Sequence, residues 1–259
     1  MCKFFSGVYD RTRDMLFTGP TDSHSKICEL HGIRETSSLA ERNIVKLEYV
    51  PRGAYSNLDG YDLRVDEERT PDWWTDELAE RVTLRMHRRL LAERVLVDGQ
   101  TYNITGGLYL VFSGAPVITQ HGGEILTYGP SAPVITQHGG GIRTSDSSTP
   151  AITQFGGDIL TYSSSAPVIT QHGGRIWTHG SGVPTITQFG GDIRTHDFSM
   201  PVITQFGGDT RTRDSSVPAI EQFGGKLYTS DFSLPAIVRS GGTLVDMRIR
   251  GRSKSDSIL

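Results

Sequence analysis

Eight prolines, Pro116, Pro133, Pro150, Pro167, Pro184, Pro201, Pro218 and Pro235, stand seventeen residues apart with no insertion between them. So short and strict a period leaves each unit one way to sit on its neighbour, because every contact between units recurs seventeen residues later. The consensus is P-[VAT]-I-T-Q-[HF]-G-G-x-[IL]-x-T-x-x-x-S-x. Two glycines and a proline in each unit exclude a helical repeat, and the apolar positions alternate instead of recurring at three and four.

Within a unit, "VITQ" and the "EILTY" type of segment read as two short strands, with the Gly-Gly pair turning the chain between them. Ile118, Ile135, Ile152, Ile169, Ile186, Ile203, Ile220 and Ile237 hold one position throughout, so that position faces the core. Alternation sends Gln120 and its equivalents inward as well, with Thr119 and His121 outward. The second strand supplies another inward column, from Ile125 through Thr210 to Leu244. Buried glutamines are expected to pair amide to amide from rung to rung. Eight rungs at strand spacing make a stack about 38 Å long. The expected fold is mainly β: a β-solenoid of eight 17-residue repeats behind a small α+β N-terminal capping domain. A meander with Gly-Gly hairpins is the competing arrangement, but it would not lay identical residues over one another.

The N-terminal part lacks the period. "CKFFSGVY" and "MLF" predict a hairpin, "TDSHSKICELHG" a short helix stopped by Gly32, and "IVKLEYV" and "YDLRV" strands. "TPDWWTDELAERVTLRMHRRLLAERV" predicts a long helix with Thr70 as N-cap and Pro71 first, acids early and arginines late. Asp72, Trp73 and Trp74 then fall in its first turn, placed to dock the domain onto the first rung or onto a partner. The expected divisions are 1–97 for the α+β domain, 98–115 for irregular first rungs, 116–246 for the solenoid and 247–259 for a C-terminal cap or tail.

The phrases "MCKFFS", "TDSHSKI", "RNIVKLEYVP" and "LRVDEERTPDWW" resemble a small N-terminal module of bacteriophage and prophage proteins, in which repetitive sequence follows. The resemblance covers about residues 1–97 and implies a phage-like origin. It carries no catalytic signature, so it implies no mechanism. The repeats resemble β-solenoids in general, virion spikes and fibres included.

Net charge is −3, with 15 Lys+Arg against 18 Asp+Glu in residues 1–100 and 11 against 11 in the remainder. Neither a nucleic-acid binder nor a DNA mimic has such a balance. Two cysteines make no disulfide framework, and no apolar run approaches the roughly 20 residues of a membrane span. The opening residues lack a secretory signal, so the expected location is the host cytoplasm or a virion.

Candidate chemistry is sparse. Cys2, exposed as an N-terminal nucleophile once Met1 is removed, would serve an amidohydrolase, with Asp22 and His24 as conceivable companions; the alternative is a buried strand start. His121 and His138 occupy one outward column and could share a metal, but phenylalanine replaces them elsewhere, which points to packing. The outward threonine column is ordinary β-propensity. One outward column is varied: Leu126, Arg143, Leu160, Trp177, Arg194, Arg211, Tyr228 and Val245, beside Tyr128 and Tyr162. Arginine and aromatic side chains favour contact surfaces, so Arg143, Trp177, Arg194, Arg211, Tyr228, Tyr128 and Tyr162 are the candidate binding residues. The aspartates at 158, 192 and 209, and at 146, 197, 214 and 231, read as turn formers. The basic tail Arg248–Lys254 reads as a solvated end.

Together these features predict a non-catalytic structural or binding protein of phage type. No cofactor is expected. The partner is a protein, a glycan or further copies of the chain; nucleic acid and membrane are not. A trimeric virion fibre and an enzyme using Cys2 are the alternatives.

Overall fold

The structure, a computed structural model, describes residues 5–34, 42–230 and 232–247. The chain divides into two compact units: Met1–Leu96 with Thr105–Phe112, and Val97–Ile104 with Ser113–Leu259.

In the first unit β1 (Phe5–Asp10), β2 (Met15–Phe17), β3 (Ile44–Pro51) and β4 (Tyr61–Val65) form an antiparallel sheet in the order β2-β1-β3-β4. The predicted hairpin pairs Val8 with Phe17 and Asp10 with Met15. Helix α1 (His24–Leu30) covers one face, where Ile27 and Cys28 meet Val8 and Ile44. Helix α2 (Asp76–Arg94) covers the other, burying Leu78, Val82, Met86 and Leu90 against Phe5, Tyr9, Leu47 and Tyr49. That i, i+4 spacing makes one apolar stripe, each fully buried side chain contributing about 1.5–3 kcal/mol.

Helix α2 starts later than its sequence predicts. Its N-cap is Thr75, whose hydroxyl accepts from the Leu78 amide, and Pro71 to Trp74 is a turn closed by the Trp74 amide on the Pro71 carbonyl. The reason is tertiary. Trp73 packs tilted against Tyr9 at 6.3 Å and Trp74 edge-on at 5.8 Å, and Trp73 Nε1 donates to the Arg42 carbonyl. The tryptophans therefore complete this unit's own core.

The second unit is a β-solenoid. Each strand after a proline pairs in parallel with the strand seventeen residues on, Ile118 beside Ile135 and Gln120 beside Gln137, and Thr101–Ile104 adds a rung before them. The strands after each Gly-Gly do the same, Ile142 beside Ile125 and Ile159. Two parallel sheets result, and about nine turns span residues 101–246. Both isoleucine columns and the glutamines are buried as far as Ile220, Leu227 and Gln222, while Ile237 and Leu244 of the last rung are half-buried. The second glycine of each pair takes a left-handed conformation, Gly140 at φ +82° and Gly157 at +84°. Asp146, Asp197 and Asp214 take the same conformation at the other corner, as turn formers do; Asp231 lies outside the described residues.

Two expectations about the interior change. The glutamine amides do not pair with each other: Gln120 Nε2 donates to the carbonyls of Gly123 at 3.1 Å and Gly141 at 2.9 Å, and Gln137 and Gln154 repeat the pattern. The tight corner turns those carbonyls inward, and a buried carbonyl takes the nearest donor. Leu126 is buried, not outward. A further seam had no sequence prediction: Thr127 bonds Ser148 at 3.1 Å, Thr144 bonds Ser165, and Thr178 bonds Ser199, so small hydroxyls line the second corner from inside.

Candidate binding face

The outer face of the second sheet is built from the first and third residues of each four-residue strand. The third position carries Arg143, Leu160, Trp177, Arg194, Arg211 and Tyr228, one per rung in strict register. Five of the seven candidate binding residues thus share one row. The first position carries Glu124, Asp158, Arg175, Asp192, Asp209 and Lys226. The aspartates here were read as turn formers; they open strands and hold arginines. Their side chains stand one strand spacing from the guanidiniums of the next rung, close enough to pair.

The pairing is extensive. Arg143 Nε donates to Glu124 at 2.7 Å. Arg175 meets Asp158 bidentately at 2.8 and 2.9 Å. Arg194 bonds Asp192 at 2.9 Å, and Arg211 bridges Asp192 and Asp209. The rings join the same network. The guanidinium of Arg175 lies 4.9 Å from the Trp177 ring centre and that of Arg194 5.9 Å, while Arg211 lies 5.1 Å from Tyr228. Exposed ion pairs contribute little stability, about 0–1 kcal/mol each, but a bidentate, ring-stacked set holds its rotamers.

Tyr128 and Tyr162 stand one column away at the corner, half-buried. Tyr162 stacks on His179 at 5.7 Å and His179 on His196 at 5.0 Å. The two imidazoles face Asp197 and Asp214 through Nδ1 at 3.5 and 3.3 Å, a pairing the sequence did not signal because it joins residues eighteen apart.

His121 and His138 lie on the other sheet, away from this row. They stack at 5.0 Å and 8° and continue through Phe155, His172, Phe189, Phe206 and Phe223 as one ladder of parallel rings. Among the described residues no group of three or more His, Cys, Asp or Glu could hold a metal ion. No helix of the described residues is long and apolar enough to cross a membrane.

In the first unit, Cys2 lies outside the described residues, as does the basic tail. Its conceivable companions are engaged separately. His24 Nε2 donates to the Leu47 carbonyl at 2.9 Å and Nδ1 faces Asp66 at 3.2 Å, whereas Asp22 accepts from Arg94 at 3.2 Å. Burial raises the Asp22 carboxyl above its usual pKa, with Arg94 opposing. The cavity beside them, lined by Phe5, Asp22, Tyr49 and Arg94 among others, measures about 20 Å³, room for one water.

No family model, curated protein or solved structure matches this chain. A β-solenoid is compatible with a structural or binding repeat protein.

Proposed function

We propose that the chain is a non-catalytic binding protein whose coil presents the arginine and aromatic row of the second sheet to a protein partner. The observation that carries the reading is the row's pre-organisation: Arg175, Arg194 and Arg211 are each held by a carboxylate and by the face of Trp177 or Tyr228. Side chains already fixed lose less entropy on association, and Arg, Trp and Tyr dominate binding energy at interfaces. A protein fits better than a glycan, because sugars stack on an open ring and Trp177 is already flanked by two guanidiniums. A phage-type setting, with the coil as a virion component, belongs to the same proposal.

The test is affinity capture on the immobilised full chain, read as a difference between variants. A protein retained by the wild type and by Thr170→Lys on the other sheet, but lost at least tenfold by Trp177→Ala with Arg194→Ala, supports the reading. Retention by every variant overturns it. Binding of the wild type to a glycan panel that disappears in Trp177→Ala would replace the protein partner with a sugar.

A further inference from the structure

The outer face of the first sheet is of another kind. Alternation puts four residues of each rung outward, in the sixth rung Met200, Val202, Thr204 and Phe206, while Pro201, Ile203 and Gln205 are buried. Over eight such rungs, from Ala115 to Ser240, Glu221 is the single Asp, Glu, Lys or Arg at these positions, in a chain that is 21% charged. Phe189 is 49% exposed, Val168 58% and Leu234 67%. At strand spacing and rise the face measures about 38 Å by about 20 Å. That is about 760 Å², close to the roughly 800 Å² that each partner contributes to a stable interface, whose core is poor in charge.

We propose that this face is a two-fold interface between two copies of the chain. A second copy repeats at the same strand spacing, so its columns mesh with these along the whole length. An unrelated surface would match at a few rungs only. A two-fold axis lying in the interface, along the coil axis, keeps rung order and reverses column order, and so lays the ring column of one copy over the pre-proline column of the other.

Each ring then lies over the pre-proline residue of its own rung in the second copy. His121, His138 and His172 come opposite Ala115, Ala132 and Ala166, and Phe155, Phe189 and Phe223 opposite Thr149, Val183 and Val217. Phe206 meets Met200, whose flexible thioether packs readily on a ring. Valines, alanines and threonines fill most of the two middle columns, Val168 over Thr170, and Glu221 falls in the seventh rung, towards the rim. The rings are already ordered, stacked 5.0–5.3 Å apart and within 10° of parallel, so little freedom is lost on pairing.

Light scattering on the full chain during sizing chromatography, at tens of micromolar, tests this. The wild type should run at twice the 28.4 kDa of one chain. Thr170→Lys, in the middle of the face, should weaken association at least tenfold with an unchanged circular dichroism spectrum. Met200→Lys, which stands before Pro201 outside the hydrogen-bonded strand, should do the same and serves if Thr170→Lys does not fold. Leu160→Lys, on the outer face of the second sheet, should leave the dimer intact. A wild-type mass of one chain or three overturns the proposal, and so does a dimer that survives both face variants or is lost with Leu160→Lys. Because the arginine row is on the other sheet, failure here leaves the partner reading standing, and the reverse also holds.

Discussion

Gln154 Nε2 donates to the carbonyl of Gly157 at 2.9 Å, so that the buried amide holds the corner that its own strand runs into. The same nitrogen reaches the Arg175 carbonyl of the next rung at 3.3 Å, tying two turns of the coil together. Replacing the amide by a hydrocarbon of similar size keeps the volume and removes both bonds, while the Gly157 carbonyl still accepts from the Arg175 amide at 3.0 Å. At about 0.5–1.5 kcal/mol for each lost bond, Gln154→Leu should destabilise the coil by about 1–3 kcal/mol. Urea denaturation followed by far-UV circular dichroism measures it, and a loss below about 1 kcal/mol would show that the amide holds nothing.

Gly157 itself is constrained twice. Its φ is +84°, and a Cβ there would stand 2.5 Å from the Gly140 carbonyl oxygen and 2.9 Å from Gln137 Nε2. Gly99 has a similar φ of +71° with open space around it. Gly99→Ala should cost about 1–2 kcal/mol, the left-handed penalty alone. Gly157→Ala should cost about 1–3 kcal/mol more, because backbone must move to admit the methyl. Equal melting temperatures for the two variants would mean that the corner gives way easily.

In the first unit, Thr75→Ala should cost about 1 kcal/mol by removing the acceptor for the Leu78 amide. Thr70→Ala, at the cap that the sequence predicts, should stay within about 0.5 kcal/mol. Thermal melts of the two variants separate the two starts of α2. Reversed costs would restore the start at Thr70.

Tyr9 donates to Asp14 at 2.6 Å, and Arg85 bonds the same carboxylate at 3.1 Å. The Tyr9 bond first, and then Arg85, hold the Asp14 carboxyl below its usual range; burial first, and then Asp14, raise the Tyr9 phenol. An acid with a lowered folded pKa contributes stability that is present above about pH 4 and lost as pH falls through the folded value. A phenol with a raised folded pKa contributes stability that is present below about pH 10 and lost as pH rises through the folded value. Asp14→Asn should therefore flatten the acid limb of the stability profile, and Tyr9→Phe the alkaline limb. Tryptophan fluorescence melts across pH, reporting on Trp73 and Trp74 beside Tyr9, read both limbs. An acid limb unchanged in Asp14→Asn would remove Asp14 from the account.

Much of the coil was legible because its contacts are between neighbours of identical sequence. The seventeen-residue proline spacing, the inward isoleucines from Ile118 to Ile237 and the corner glycines each follow from one unit and its repetition. The candidate face was legible only in part. Arg143, Trp177, Arg194, Arg211 and Tyr228 were placed in one row by period-two alternation, but Leu126 was assigned outward by the same rule and is buried. The pairing of Asp158, Asp192 and Asp209 with arginines was hidden, because an aspartate after two glycines has the composition of a turn.

The sequence by itself determined a parallel two-strand coil, an α+β domain with two helices before it, and the inward isoleucine and glutamine columns. Hydrophobic period and left-handed corner positions are local properties, so they can be read from residues alone. Only the tertiary structure decided that the glutamines bond corner carbonyls, that α2 waits until Thr75 while Trp73 and Trp74 pack on Tyr9, and that the arginines lie bound to acids and rings. Each of those outcomes depends on where a carbonyl, a ring or a charge from another rung or another strand comes to rest. Repetition predicts which residues share a column. The partner that each side chain takes is set by what the fold brings within about 3 Å of it.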